Sequence, residues 1–232
     1  LQASSHVDCP LGADARDAIL QGDEPDAVHR YSFRETTPSI TLHPALADRP
    51  VVIRPEDPLS VPGGQEVTLY VSTPLWIHIQ PGTEAPAPSK PMHELPSHRP
   101  SDTWFGTSTR SGELCYAART AGRLRLDDIP LRRHRAVTPL RVRNDASDTL
   151  PVERVQLPAQ HLALYRSADG FLWTQGVTMR RYRTDEGAQV EVASGPPEEV
   201  SASTRIGEPR QTAKGGMVVN TFRAIEALFG HS

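Results

Sequence analysis

The stretch Pro62-Gly63-Gly64-Gln65-Glu66-Val67-Thr68-Leu69-Tyr70-Val71-Ser72-Thr73-Pro74-Leu75-Trp76-Ile77-His78-Ile79 decides the fold class. Apolar side chains recur at every second position, at Val67, Leu69 and Val71 and again at Leu75, Ile77 and Ile79. That period belongs to a half-buried strand, because a helix would space its apolar face three and four residues apart. Pro62-Gly63-Gly64 supplies a turn in front of the first run. Pro74 has no N–H to give to a ladder, so it predicts a bend or a sheet edge between the two runs.

The same short, proline-punctuated runs extend in both directions. Tyr31–Phe33, Ile40–Leu42 and Val51–Ile53 precede the stretch, and Leu114–Ala118, Arg123–Leu126, Leu140–Arg143, Val152–Leu157, His161–Tyr165, Phe171–Met179 and Gln189–Val192 follow it. Asn144–Asp148 reads as the turn of an antiparallel hairpin between Leu140–Arg143 and Val152–Leu157, and Ala168-Asp169-Gly170 as a second tight turn. This rhythm predicts an all-β fold, an antiparallel β-sandwich (Ig-like or jelly-roll-like) of ten or more short strands. Residues 81–101, with six prolines, read as a long loop. One helix is expected, a C-terminal amphipathic one over Met217–Phe229. It places Val218, Phe222, Ile225 and Phe229 on one face, with Gly230 as its cap. The expected organisation is an acidic N-terminal segment (1–27), a β-sandwich domain (28–200, with a subdivision near 130) and a C-terminal linker and helix (201–232).

Composition narrows the function classes. The 232 residues carry 25 Lys plus Arg against 28 Asp plus Glu, a formal charge of −3, which excludes a general nucleic-acid coat. No apolar run approaches the roughly 18 residues that a spanning helix needs. Proline is 22 of 232, about twice ordinary usage. Lys90 and Lys214 are the only lysines, so 23 of the basic residues are arginine. Cys9 and Cys115 belong to no C-x-x-C pair, which excludes a thioredoxin or structural zinc site and leaves the compartment open.

Several of these runs carry a resemblance. His134-Arg135-Ala136-Val137-Thr138-Pro139-Leu140-Arg141-Val142-Arg143-Asn144 leads to Val152-Glu153-Arg154-Val155-Gln156-Leu157-Pro158. Leu164-Tyr165 and Gly170-Phe171-Leu172-Trp173-Thr174 follow, and Pro74-Leu75-Trp76, Trp104-Phe105-Gly106 and Gly112-Glu113-Leu114-Cys115-Tyr116 precede. Together, over about residues 50–185, they resemble a prokaryotic family known as domain of unknown function 432. The resemblance implies an all-β fold and no mechanism.

Signatures of catalysis are missing. His93-Glu94-Leu95-Pro96-Ser97-His98 has its histidines five apart, which turns the second about 140° from the first on a helix, and Pro96 would break that helix. A zinc protease is therefore excluded. Loop and strand ligands carry no such constraint, so His78, His93, Glu94 and His98 form the alternative reading, a metal site of a cupin-like metal-dependent enzyme. The segment from Gly106 to Arg110 lacks the second glycine of a nucleophile elbow, and no phosphate-binding glycine loop occurs. Trp76, Trp104 and Trp173 read as core residues.

The strongest asymmetry is charge. Residues 119–143 hold eight arginines against Asp127 and Asp128, a local +6 within a chain of −3. On strands, Arg123 pairs its face with Arg125 and Arg141 with Arg143, and Arg180, Arg181 and Arg183 extend the set. The preferred reading is a non-catalytic interaction or anion-binding module using Arg123, Arg125, Arg141, Arg143 and Arg181, with Glu153, Glu186 and Glu191 available to compensate them. It implies no metal and no cofactor. Expected partners are a protein or a small anionic ligand, without a specific nucleic acid or a membrane span, and with homo-oligomerisation through the C-terminal helix.

Overall fold

The computed structural model describes residues 39–82, 91–98, 100–106, 110, 112–182, 188–212 and 217–219. The chain divides after Pro38, and the unit from Ser39 onward is all-β. It opens with β1 (Ile40–Ala45), β2 (Val51–Ile53), β3 (Leu59–Val61), β4 (Glu66–Pro74) and β5 (Trp76–Pro81). Then come β6 (His93–Pro96), β7 (Ser101–Gly106), β8 (Gly112–Ala117), β9 (Arg135–Asn144), β10 (Leu150–Val152) and β11 (Val155–Leu157). β12 (Leu164–Ser167), β13 (Leu172–Thr174), β14 (Val177–Arg181), β15 (Ala188–Val192), β16 (Ser203–Gly207) and β17 (Met217–Val219) complete it.

β9 is the axis of the largest sheet. β4 pairs antiparallel along one edge, from Glu66 opposite Arg143 to Pro74 opposite Arg135. On the other edge β13 and β14 run parallel to it, Trp173 beside Val137 and Val177 beside Leu140. From Arg135 to Leu140 every residue of β9 is buried, as a strand covered on both faces must be. Pro139 sits in this central strand without breaking it. It lies opposite Tyr70, whose own N–H and C=O turn away to bond Arg123 (2.7 and 3.0 Å). The edge where Pro139 lacks a donor faces the interruption at Gln175-Gly176, between β13 and β14.

A second sheet, in the order β11-β2-β8-β7, shares one core with the first. Val51 and Ile53 from β2, Val155 and Leu157 from β11, Leu69 and Val71 from β4, and Leu140, Val142 and Met179 from the large sheet are all buried in it. Each such side chain contributes about 1.5–3 kcal/mol when fully buried. β1-β5-β6 and β3-β10 form smaller antiparallel sheets. Trp76 joins the main core, whereas Trp173 packs with Ile129 and Val137 in a separate cluster on the outer side of β9.

Several expectations need correction. The sheets are mixed, not purely antiparallel, because β2–β8 and the β9–β13 and β9–β14 ladders are parallel. Leu140–Arg143 and Val152–Leu157 do not form a hairpin; β10 pairs β3 and β11 pairs β2. The reason lies in the turn. Asn144, fully buried, donates from Nδ2 to the carbonyls of Val61 (2.9 Å) and Asp148 (2.6 Å), and its Oδ1 accepts from the Ala146 N–H. The turn is thereby stitched to the end of β3. Gly63 lies against it so closely that a Cβ would stand 2.6 Å from the Ser147 carbonyl oxygen.

Other differences are local. Gly122 and Arg123 form isolated bridges and Leu126–Asp128 a 3-10 turn, where a strand was expected. β6 lies within the expected loop at 81–101. Trp104 is 43% exposed, so it is not a core residue. The C-terminal amphipathic helix is not seen: Met217–Val219 form β17, paired with β15, so Val218 lies opposite Gln189 in a ladder. Phe222, Ile225 and Phe229 fall outside the described residues, as do Tyr31–Phe33 and Cys9. Oligomerisation through a helix starting at Met217 therefore loses its first turn to the sheet.

Asn144→Ala removes both donated bonds and takes away the acceptor of the Ala146 N–H. We expect a loss of about 2–3 kcal/mol in urea unfolding, from the penalty of a buried donor left without that acceptor plus the lost bonds. A change below about 0.5 kcal/mol would show that the turn is not held by this side chain.

Candidate functional site

Strand parity builds the site. In the β11-β2-β8-β7 sheet, Val51, Ile53, Val155 and Leu157 point inward, so Val52, Gln156, Cys115 and Phe105 share the outer face. Val52, Phe105 and Cys115 pack there as a small apolar cluster. Arg54 and Arg154 continue the same parity. The register that pairs Val155 with Ile53 carries Arg154 opposite Arg54, and the parallel register joining Val52 to Ala117 runs on toward Arg119. Three arginines thus come from three adjacent chain segments at one level of the sheet. They line a groove of about 270 Å³ together with Thr103 and Thr120, over a floor of Ala117, Ala118 and Ala121.

The groove is held rigidly. Arg154 donates from Nη2 to the Trp104 carbonyl (3.1 Å) and Thr103 Oγ1 (3.4 Å), with its guanidinium 5.4 Å from the Phe105 ring centre. The segment carrying Arg119 is stapled at each end, Ala118 N–H to the Val52 carbonyl and Gly122 N–H to that of Arg54, both 2.8 Å. Thr120 Oγ1 donates to the Ser72 carbonyl (2.6 Å) and accepts from Arg135 Nη2 (3.0 Å). Arg135 itself is buried, and its Nε donates to Ser72 Oγ (2.8 Å). Burial, reinforced by the Arg132 charge, lowers its pKa from the ordinary arginine value.

No carboxylate lines the groove among the described residues. Acids on nearby segments are engaged elsewhere: Glu56 with Arg123, Asp102 with Arg49, and Glu113 with the Gln156 amide. Arg54 and Arg119 are exposed and form no ion pair among the described residues. The Cys115 thiol beneath is fully buried, and burial pushes it up to about 11, which keeps it protonated and unreactive.

The arginines singled out from sequence are arranged differently. Arg141 and Arg143 do share the outer face of β9, and Arg180 on β14 stands beside Arg143. Their charge is met locally: Arg143 Nε lies 2.7 Å from Asp145, Arg180 Nε 3.7 Å from the same carboxylate, and Arg141 Nε 3.9 Å from Glu66. Arg123 pairs with Glu56 beyond β4, and Arg125, highly exposed, lies 3.7 Å from Asp127. Arg181 has the opposite parity and is buried, its Nη2 2.8 Å from Asp148 and its Nη1 3.4 Å from Asn144 Oδ1. Arg183 is outside the described residues.

The histidine set also separates. The β5–β6 register places His78 opposite Glu94 but His93 opposite Ile79, so His93 has the parity opposite to Glu94. His98 is exposed beyond the end of β6, near Trp76 and Arg119. Both Glu94 oxygens receive the Arg210 guanidinium (2.7 and 2.8 Å), whose Nε donates to the Leu46 carbonyl (2.7 Å). His78 Nε2 is 3.0 Å from Glu94 Oε2, close but off the hydrogen-bonding direction. Among the described residues no three His, Cys, Asp or Glu side chains are grouped to hold a metal.

A family model described as protein of unknown function (DUF432) matches residues 11–226. The chain belongs to the DUF432 family. No curated protein and no solved structure matches it. The family match runs well beyond the 50–185 span over which the sequence resemblance was carried. Of the groove residues in this DUF432 chain, Arg119 lay inside the basic run at 119–143, while Arg54 and Arg154 stood outside it. Their signal was parity: each sits two residues from an outward position of a short strand. Without the pairing of β11, β2 and β8, nothing in the sequence joined them.

Burial and the Arg210 charge lower the His78 pKa, outweighing Glu94, with His43 across the strand adding to the effect. The unfolded chain then takes up the proton more readily, so the stability this neutral imidazole supports is present above about pH 6.5 and is lost as the pH falls. His134, lowered by burial and its arginine neighbours, acts in the same direction from a more exposed position. Urea midpoints should fall between pH 7.5 and 5.5, and His78→Gln should flatten that fall more than His134→Gln does. An unchanged slope in His78→Gln would remove His78 from this linkage.

Proposed function

We propose that this protein is a non-catalytic β-sandwich module that binds an anionic ligand in the groove lined by Arg54, Arg119 and Arg154. The observation that carries this reading is the set of three arginines at one sheet level with no carboxylate among the residues lining the groove. Neighbouring strands are about 4.8 Å apart, and like charges placed opposite one another on a sheet are destabilising. The Arg141/Arg143/Arg180 face relieves that repulsion with Glu66 and Asp145. In the groove, Arg54 and Arg119 have no ion pair among the described residues. Arginine suits an anion site, since its planar fork offers paired donors to an oxyanion.

Support for a binding role over catalysis comes from the lining itself. Arginine, threonine, alanine and valine line the groove, and none of them is a nucleophile–base pair or an acid–base carboxylate. The cupin-like alternative draws on His78 and Glu94, which do meet, but Arg210 occupies both oxygens of that carboxylate.

Arg54→Ala combined with Arg119→Ala should leave stability within about 0.5 kcal/mol of wild type, as expected for exposed side chains without ion pairs. The same variant should lose retention on a phosphate-bearing cation-exchange matrix at low salt. Arg141→Ala combined with Arg143→Ala should keep that retention. The opposite ranking of the two double variants would move the anion site to the β9 face and overturn this reading.

A further inference from the structure

We infer that the open face of the β1-β5-β6 sheet is the surface on which a second copy of this chain docks about a two-fold axis. Register sorts the side chains of this sheet into two sets. Ala45, Trp76 and His78 share one face and are buried, Ala45 and Trp76 in the main core. The opposite parity gathers Ile40, Leu42, Ile77, Ile79 and Leu95, with Pro44 beside Ile77. Among the described residues none of these five is part of the main core. Ile40 is 61% exposed, Leu42 47% and Leu95 37%, and Ile77 and Ile79 lie half-buried between them. A lone exposed leucine is ordinary; five apolar side chains contiguous across three strands form a patch that water covers at a cost.

Charge selects the occupant. In a two-fold dimer a surface meets itself, so a charge near the axis meets its own copy. The outer faces of the two larger sheets carry Arg141, Arg143 and Arg180, or Arg54 and Arg154, and self-association there sets like charge against like. The paired positions of the β1-β5-β6 face hold no Asp, Glu, Lys or Arg, and His93 is their only ionisable side chain. This face meets its own copy without that repulsion. Its size sets the strength. β1 is six residues long, and three strands about 4.8 Å apart give a footprint of roughly 300 Å² on each copy. The pair then covers about 600 Å², well under the roughly 1,200 Å² of stable complexes, so the dimer is reversible and separates on dilution. Stacked sheets lie about 10 Å apart with their strands nearly aligned. An axis along β5 then sets Ile40 and Leu42 of each copy over the Leu95 edge of the other.

The test is sedimentation equilibrium of the full chain, from low micromolar to near-millimolar concentration. The weight-average mass should climb from one chain toward two across that range. Added sodium chloride should not weaken the association, since no charge pair spans the contact. Leu42→Asp should weaken it about tenfold or more, because a carboxylate is then carried into an apolar interface. Ile40→Asp, at the most exposed position of the face, should do the same while the protein stays folded by circular dichroism. Leu124→Asp, at a comparably exposed leucine (54%) away from this sheet, should associate as wild type does. A wild-type mass that stays at one chain throughout would overturn the proposal. So would an association that salt abolishes, or one that Leu42→Asp and Ile40→Asp leave unchanged.

Discussion

β9 has to be buried on both faces and paired on both edges, and most of the molecule follows from how those four demands are met. Its inward side chains Ala136, Leu140 and Val142 enter the main core, while Val137 on the other face is covered by Ile129 and Trp173. Its edges are taken by β4 in one direction and by β13 and β14 in the other. Pro139 is compatible with that position only because the ladder is interrupted beside it and Tyr70 spends its backbone groups on Arg123. That last pair of bonds has a further effect. It anchors the 118–123 segment along the outer edge of β4, and this segment carries Arg119 into the groove. The central strand and the candidate site are therefore connected through one edge strand.

The same parity that sorts core from surface also produces two arginine sets with different electrostatics. On β9 and β14 the outward arginines have Glu66 and Asp145 within their own sheet, and exposed pairs of this kind each contribute about 0–1 kcal/mol. Such a face is compensated and offers an incoming anion little that it does not already hold. On β2, β11 and the segment after β8, the outward positions beyond Val52, Gln156 and Ala117 are all arginine, and the nearby acids have been drawn to Arg123, Arg49 and Gln156. Local charge excess in sequence points to residues 119–143; of the two exposed groove arginines without an ion pair among the described residues, Arg119 lies in that run and Arg54 outside it.

The all-β class was legible because period-2 alternation and turn residues are local signals. β2, β4, β5, β8, β12 and β15 fall where alternation places them, and Gly170 adopts the positive φ expected of its turn. Pairing was not legible. The Asn144–Asp148 turn has the composition of a hairpin turn, yet the Asn144 side chain bonds Val61, 83 positions away, and sends the chain to β3. Parallel partners are equally silent in sequence, since nothing in Val51–Ile53 specifies β8. The expected helix from Met217 failed for a related reason: Val218 satisfies a helical period and a strand equally well, and the exposed edge of β15 takes the three residues into its ladder. His93, Glu94 and His98 are close in sequence and His78 lies on the strand before them, but a strand through His93 and Glu94 necessarily sends those two to opposite faces.

Arg135 links these levels. A guanidinium at 9% exposure costs several kcal/mol unless its donors are met, and here neutral Ser72 and Thr120 oxygens meet them. A carboxylate in their place would have cancelled the charge; hydroxyls and a carbonyl satisfy the hydrogen bonds and leave it. The positive potential therefore persists in a low-dielectric wall directly behind Thr120, where it is screened less than any surface arginine. Removing Arg135 would cost packing and hydrogen bonds at the end of β9, so its charge is inseparable from the fold. Arg54 and Arg119, by contrast, are exposed and form no ion pair among the described residues. A buried cation fixed by the core, together with the exposed cations Arg54 and Arg119, makes the surroundings of Thr120 locally positive.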